Sequence, residues 1–367
     1  MKKAIKYLAS AVVLTIAGQG LTSCDDWTDP EALDYNFGTI ETAPNYQAYL
    51  QDLRNYRSTD HKLVYAWIDA TDKTPGGQRD RLTALPDSID VLVLSTAAEF
   101  EPQVLADFRT VREQKGMKAE YLCDYDAWVD KYKAHCENLM VQRDNLTREF
   151  NNREDNTDEA VIAEYNEKIA ALADPTFEAY LLENLTKELD YVKSCGLDGV
   201  MFAFNGKSSL HLEKDELADY NAKQLLFLGV AADWHKRNPK MMYDFLGLPQ
   251  NVTDKTRLND FGVLFIRDGF SATNADLFSY YMTMASVAGV PTEKLGMTAA
   301  YISSDEAEAN VGIFKDGTYA LDGLAKWVAV NQVKAVGMLN VQNDYYTPSF
   351  TFPHVRGVIQ AANPAIK

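Results

Sequence analysis

Five carboxylates, Asp69, Glu99, Asp124, Asp268 and Asp344, lie at or just beyond the ends of apolar, β-rich runs of this chain. Strand alternation would bring such side chains to one shared end of a sheet. Two of them about 6.5–9.5 Å apart, one buried, would form a general acid and a general base for an inverting hydrolysis. Charged rims are common on acidic proteins without catalysis, so these residues alone do not select an enzyme. Other chemistries find less support. The five histidines are scattered without an HExxH pattern, and no CxxC or Cys/His metal spacing occurs, so no metal and no cofactor is expected. Cys123, Cys136 and Cys195 are read as buried, unpaired thiols.

The elements that must position these groups recur along the chain. Strand-like runs occupy residues 63–69, 91–96, 118–123, 199–204, 240–245, 262–266, 295–301 and 334–341. Continuous apolar stretches such as Val91-Leu92-Val93-Leu94 suit strands covered on both faces, as parallel sheets require. Helical periodicity fills residues 102–115, 176–194, 216–237, 274–288 and 319–331. Eight such alternations predict an α/β fold, a (β/α)8 TIM barrel, rather than an open doubly wound sheet. No GxGxxG follows any strand, which argues further against a dinucleotide fold. Between the third and fourth strands the chain is oversized: residues 130–151 and 158–172 read as two charged amphipathic helices, within a helical insertion over 129–175. That insertion is read either as a cap beside the barrel mouth or as a solvated support.

At the N-terminus, Lys2, Lys3 and Lys6 precede an apolar stretch too short to span a membrane, and Leu21-Thr22-Ser23-Cys24 follows. This pattern resembles the lipobox of bacterial lipoproteins: residues 1–23 would be the signal peptide, and Cys24 would be acylated, anchoring the chain in a membrane. The acidic run after Cys24 (Asp25, Asp26, Asp29, Glu31) resembles the surface-export signal of Bacteroides-type lipoproteins, which places the protein on the outer membrane facing outward. Residues 24–58 would then be a tether and 59–367 the barrel. Removing residues 1–23 takes away three lysines and no acids, leaving 33 basic and 53 acidic residues, a net charge of −20. That charge excludes nucleic acid as a partner and disfavours a polyanionic glycan; a neutral ligand fits better.

The fourth run, Gly196-Leu197-Asp198-Gly199-Val200-Met201-Phe202-Ala203-Phe204-Asn205, resembles the fourth barrel strand of glycoside hydrolase family 18, the chitinases and endo-β-N-acetylglucosaminidases, which carries D-x-x-D-x-D-x-E. The likeness extends over roughly residues 60–362 through the order of the eight runs. It puts Asp198 on the first aspartate, Met201 on the second, Ala203 on the third and Asn205 on the glutamate. In active members, the resemblance implies, that glutamate protonates the glycosidic oxygen while the preceding aspartate orients the substrate's acetamido group. An asparagine amide cannot deliver the proton, alanine cannot orient the group, and methionine cannot relay charge. General acid catalysis alone is worth roughly 10²–10⁴-fold, so the family reaction should be lost. Asp198 is expected to be structural. The tyrosine–aspartate pair common on the sixth strand is replaced by Ile266-Arg267-Asp268, and the eighth strand lacks the family's tryptophan in Gly337-Met338-Leu339-Asn340-Val341.

Ligands of such barrels sit at the C-terminal ends of the strands. The candidates there for sugar stacking and hydroxyl contacts are Trp67, Asp69, Glu99, Asp124, Tyr125, Asn205, Tyr243, Arg267, Asp268, Tyr301, Asn340, Gln342, Asn343, Asp344 and Tyr345, with Phe100, Trp128, Lys207, Asp244 and Tyr346 beside them. The expected function is capture of a neutral oligosaccharide or a glycoprotein glycan at the cell surface, near outer-membrane glycan importer components, without cleavage. A hydrolase with relocated carboxylates and a protein-interaction scaffold are the alternatives.

Overall fold

The computed structural model describes residues 45–70, 76–95, 99–208, 210, 212–268, 271–303, 310–346 and 350–364. The expected signal peptide, Cys24 and most of the expected tether lie outside them. Two compact units are distinguished, Met1–Asp52 and Leu53–Lys367, and the second contains the barrel.

Eight parallel strands close on themselves in sequence order: β1 Leu63–Asp69, β2 Val91–Ser95, β3 Lys118–Asp124, β4 Gly199–Phe204, β5 Met242–Gly247, β6 Leu264–Ile266, β7 Leu295–Ala300 and β8 Ala335–Leu339. The helices in chain order are α1 Tyr46–Tyr56, α2 Pro102–Lys115, α3 Tyr125–Asn151, α4 Glu159–Ala171, α5 Phe177–Ser194, α6 Lys214–Arg237, α7 Asn274–Ala285, α8 Ala320–Val328 and α9 Pro353–Ala362. The (β/α)8 barrel and its insertion between β3 and β4 are thus as the periodicity predicts, although the β1–β2 and β5–β6 connections hold only 3₁₀ turns among the described residues.

The departures have local causes. Asp124 ends β3 and caps a helix at once, its Oδ1 accepting from the Asp126 N–H at 2.8 Å, so α3 starts five residues before the charged periodicity shows itself. β8 stops at Leu339 because Asn340 takes a left-handed conformation, φ 59°. Helix α9, which the sequence reading omits, begins with Pro353 in its first turn and buries Val355, Val358 and Ala362.

Two cores follow from strand alternation. The outward side chains pack under the helices, and the inward set, among them Tyr65, Trp67, Val93, Met201, Leu246 and Phe265, fills the barrel. Trp67 meets Phe265 edge-on at 5.2 Å between ring centroids, and Tyr65 meets the same ring at 4.7 Å. Gly337 makes this possible: a Cβ there would lie 2.6 Å from Cζ3 of Trp67. The eighth strand contributes space, and the first strand fills it.

The N-terminal face of the barrel is tied by carboxylates that satisfy backbone donors at strand starts. Asp90 accepts from the Val64 N–H at 2.8 Å and pairs with Arg57 at 2.7 Å. Asp198 accepts from the Ala119 N–H at 3.0 Å and pairs with Arg112 at 2.9 Å. Asp198 therefore joins β3 to β4 at the end remote from the mouth, the structural role expected of it. Asp198→Ala should lower the unfolding free energy by about 1–3 kcal/mol, more than Arg112→Ala does, because it orphans a backbone N–H as well as a guanidinium. Urea denaturation of both variants checks this; equal losses would contradict it.

Candidate functional site

At the C-terminal end of β4 the motif positions are filled as an apolar core. Met201 and Ala203 are 0% and 1% exposed within the barrel interior, so no acid–base group reaches the mouth from them. Asn205 lies just beyond the strand, half-buried. Its carbonyl accepts from Asn251 Nδ2 at 2.8 Å, and its side-chain amide makes no hydrogen bond among the described residues. It is the one motif position whose polar group remains available to a ligand.

Across the mouth, Arg267 Nη1 on the β6 side stands 3.4 Å from Asp124 Oδ2 on the β3 side. Strands β3 and β6 are three places apart in the barrel, so this contact spans the opening over β4 and β5. Burial pushes the Asp124 carboxyl above its ordinary range, and the Arg267 charge and the Asp126 N–H pull it back. A partly exposed pair at this distance is worth only about 0–1 kcal/mol. Its consequence is steric and electrostatic: a cation and its partner occupy the space above β4.

Several predicted rim residues are elsewhere. Tyr243 is an outward residue of β5, stacked between His235 and Phe261 at 4.5 and 4.1 Å, and leaves the candidate set. Tyr301 follows β7 outward, stacked on Tyr319 at 5.5 Å and buried. Trp67 is interior packing, and Phe100 and Trp128 are core under the helices. Tyr125, carried into the first turn of α3 by the Asp124 cap, packs edge-on against Phe177, Phe204 and Phe227. Tyr243 and Tyr301 share one cause, that the residue after an inward position faces out, and in all of these ring area is worth most when buried.

The remaining predicted carboxylates are mostly committed to structure. Asp268 is buried, its Oδ1 accepting from the Ser271 N–H at 3.0 Å while its own N–H donates to Thr298 Oγ1. Asp344 has no exposed surface; its Oδ2 accepts from the Val355 N–H at 2.9 Å at the start of α9, and burial pushes its carboxyl up to about 6. An acid sealed at a helix start cannot reach a substrate. Asp69 and Glu99 are exposed. Asn340 and Asn343 donate to the carbonyls of Tyr301 and Ile302, fixing the loop after β8. Gln342 and Tyr345 are half-buried in that loop, Tyr345 edge-on to Phe352, and exposed Tyr346 lies near Arg79. Arg267, Asp124 and Asn205 are the predicted residues that the fold brings to the mouth above β4.

Asp244, expected at the rim, instead lies inside the barrel, in an acidic pair with Glu120, which the sequence did not single out. Glu120 and Asp244, from β3 and β5, are 0% and 3% exposed inside the barrel. Asp244 accepts from the Tyr65 hydroxyl and the Val263 N–H, both at 2.8 Å. Neither Glu120 oxygen has a hydrogen-bond partner among the described residues. Burial, and then the Asp244 charge, hold Glu120 well above the usual carboxylate range. The available signal was one acid on the inward phase of an otherwise apolar strand. Both carboxyls are closed off from substrate. Among the described residues no group of three or more His, Cys, Asp or Glu side chains is placed to hold a metal, and Cys123, Cys136 and Cys195 are free thiols.

The Glu120 proton predicts a pH dependence. The native state retains a proton that the unfolded chain sheds near pH 4.5, so this residue's contribution to stability is present below that pH and is lost as pH rises towards the folded value. Glu120→Gln keeps a neutral side chain of the same size at this position without titrating. Its melting temperature relative to wild type should climb from pH 5 to pH 9; a constant offset across that range would show that Glu120 carries no proton.

Comparison with known proteins places these features. The family described as glycoside hydrolase family 18, BT1044-like, matches residues 28–361. Among solved structures, the fold is similar to that of a selenomethionine glutamate-to-glutamine variant of BT1044, with TM-score 0.54 and 13% identity over 88% of this chain and 94% of that one. It is also similar to apo endo-β-N-acetylglucosaminidase from Cordyceps militaris, with TM-score 0.50 and 13% identity over 86% of this chain and 96% of that one. No curated protein matches.

Proposed function

The chain belongs to glycoside hydrolase family 18, in its BT1044-like group, and from that membership we propose that it binds a neutral oligosaccharide or glycoprotein glycan without hydrolysing it. The observation that carries this reading is the filling of the catalytic strand: Met201 and Ala203 are packed dry inside the barrel, and the first polar group above them is the amide of Asn205. An amide accepts and donates hydrogen bonds to hydroxyls but has no proton to transfer to a leaving oxygen at neutral pH. The buried carboxylates that substitute chemistry would need are engaged or sealed: Asp268 in a turn, Asp344 at a helix start, Asp244 with the Tyr65 hydroxyl and the Val263 N–H, and Glu120 within the barrel interior.

The lipobox-like Leu21–Cys24 segment and the acidic run after it support an outer-membrane lipoprotein that presents the barrel outward, where a captured glycan would be handed to an importer. On this reading Cys24→Ala abolishes incorporation of labelled palmitate, and undiminished labelling of that variant would refute the anchor.

Binding and turnover are separated by incubating the full chain, purified in detergent, on an array of neutral glycans and analysing each bound glycan afterwards by mass spectrometry. Intact glycans are expected, and Asn205→Glu alone should restore no cleavage because position 203 still cannot orient an acetamido group. Reducing-end products from the wild-type chain would overturn the proposal and point to the exposed Asp69 and Glu99. Absence of any bound glycan would favour a protein-interaction scaffold.

A further inference from the structure

We propose that the glycan is held in a groove beside the barrel axis, between the helical insertion and α6; the inference rests on the glycan-binding reading above and locates its site. The groove measures roughly 720 Å³, within the range of about 300–1,000 Å³ usual for ligand sites. The first turns of α3 form one wall with Asp126, Val129 and Lys133, and the start of α6 forms the other with Glu216, Tyr220 and Lys223. Tyr125, Tyr132 and Phe177 also line it, and it begins at Gly206 and Lys207, directly after Asn205.

Its rings are fixed before any ligand arrives. The Tyr220 hydroxyl accepts from the Lys207 N–H at 2.9 Å and donates to the Asn251 carbonyl at 3.4 Å; the Tyr132 hydroxyl donates to the Pro175 carbonyl at 2.9 Å. Rings already held in place lose little entropy when a sugar face packs on them. Gly206 is required for this arrangement. It has φ 62°, and a Cβ there would lie 2.1 Å from the Tyr220 hydroxyl.

The charges specify the ligand class. Lys133 pairs with Asp130 at 2.9 Å and Lys223 with Asp219 at 2.6 Å, each along its own helix. The walls therefore present many donors and acceptors with little net field, which suits a neutral polyhydroxylated chain and offers no grip on a polyanion. Exposed Lys207 makes no ion pair among the described residues and stands next in line to the free Asn205 amide. On the axis itself, Met201 and Ala203 fill the space below, and Arg267 and Asp124 cross above. The insertion thereby acquires a function as one wall of the site.

Calorimetric titration of the full chain in detergent with chitotetraose, a neutral biantennary N-glycan and maltotetraose tests the assignment. Leu212→Trp, at a half-buried position in the groove lining, should weaken binding of the recognised glycan by about tenfold or more, the equivalent of 1.4 kcal/mol. Lys207→Ala, on the exposed loop, should weaken it about three- to tenfold, the range of one lost hydrogen bond. Arg267→Ala should stay within about twofold of wild type, since one rim contact outside the site carries little. Unchanged melting temperatures confirm that each variant is folded. Wild-type affinity in both groove variants, with binding lost in Arg267→Ala, would overturn the groove and put the ligand on the barrel axis while leaving glycan binding intact. Failure of the wild-type chain to bind any of the three would overturn both readings together.

Discussion

A closed eight-stranded parallel barrel has an interior that must be filled by alternate side chains of every strand, because a void there loses dispersion contacts on all sides. In this protein the requirement is met with rings and aliphatic groups: Trp67 and Tyr65 from β1 close on Phe265 from β6, over the gap left by Gly337. Met201 and Ala203 complete that packing from β4. Positions that in an active family 18 barrel carry acids facing a wet cleft are here part of a dry core. Acids at these positions would cost desolvation as well as packing.

The polar groups that remain inside are held away from solvent. Glu120 is buried with neither oxygen hydrogen-bonded among the described residues, and Asp244 accepts from the Tyr65 hydroxyl and the Val263 N–H. Below them, Asp90 and Asp198 meet strand-start N–H groups and their arginines. Acidic residues are abundant in this chain, and Asp90, Asp198 and Asp244 serve as acceptors for backbone donors at strand starts.

The mouth and its flank differ in what they present. Over the axis, Arg267 and Asp124 stand where a distorted sugar would need room. Beside it, the early start of α3 turns the insertion towards α6 and leaves a groove with pinned rings and balanced charge. An insertion that sequence reading leaves as either cap or support becomes a wall because a single capping aspartate fixes where its first helix begins.

The sequence by itself determined the architecture, because parallel buried strands leave continuous apolar runs and the helices between them leave their own period. Pro102–Lys115 and Gly199–Phe204 are bounded as read, and the order of eight strands holds around the closed sheet. It also determined what β4 lacks, since residue identity alone shows that Met201, Ala203 and Asn205 carry no acid. Tertiary structure decided which rim residues exist. Tyr243, Tyr301 and Tyr125 lie near strand ends in the sequence, yet each falls on the outward phase or in the first turn of a helix, where burial of its ring outweighs any use at the mouth. Phase at a strand end shifts with one capping residue or one left-handed asparagine: at Asp124 a local cap on the Asp126 N–H decides it, and at Asn340 a hydrogen bond to the distant Tyr301 carbonyl holds it, and linear periodicity records neither.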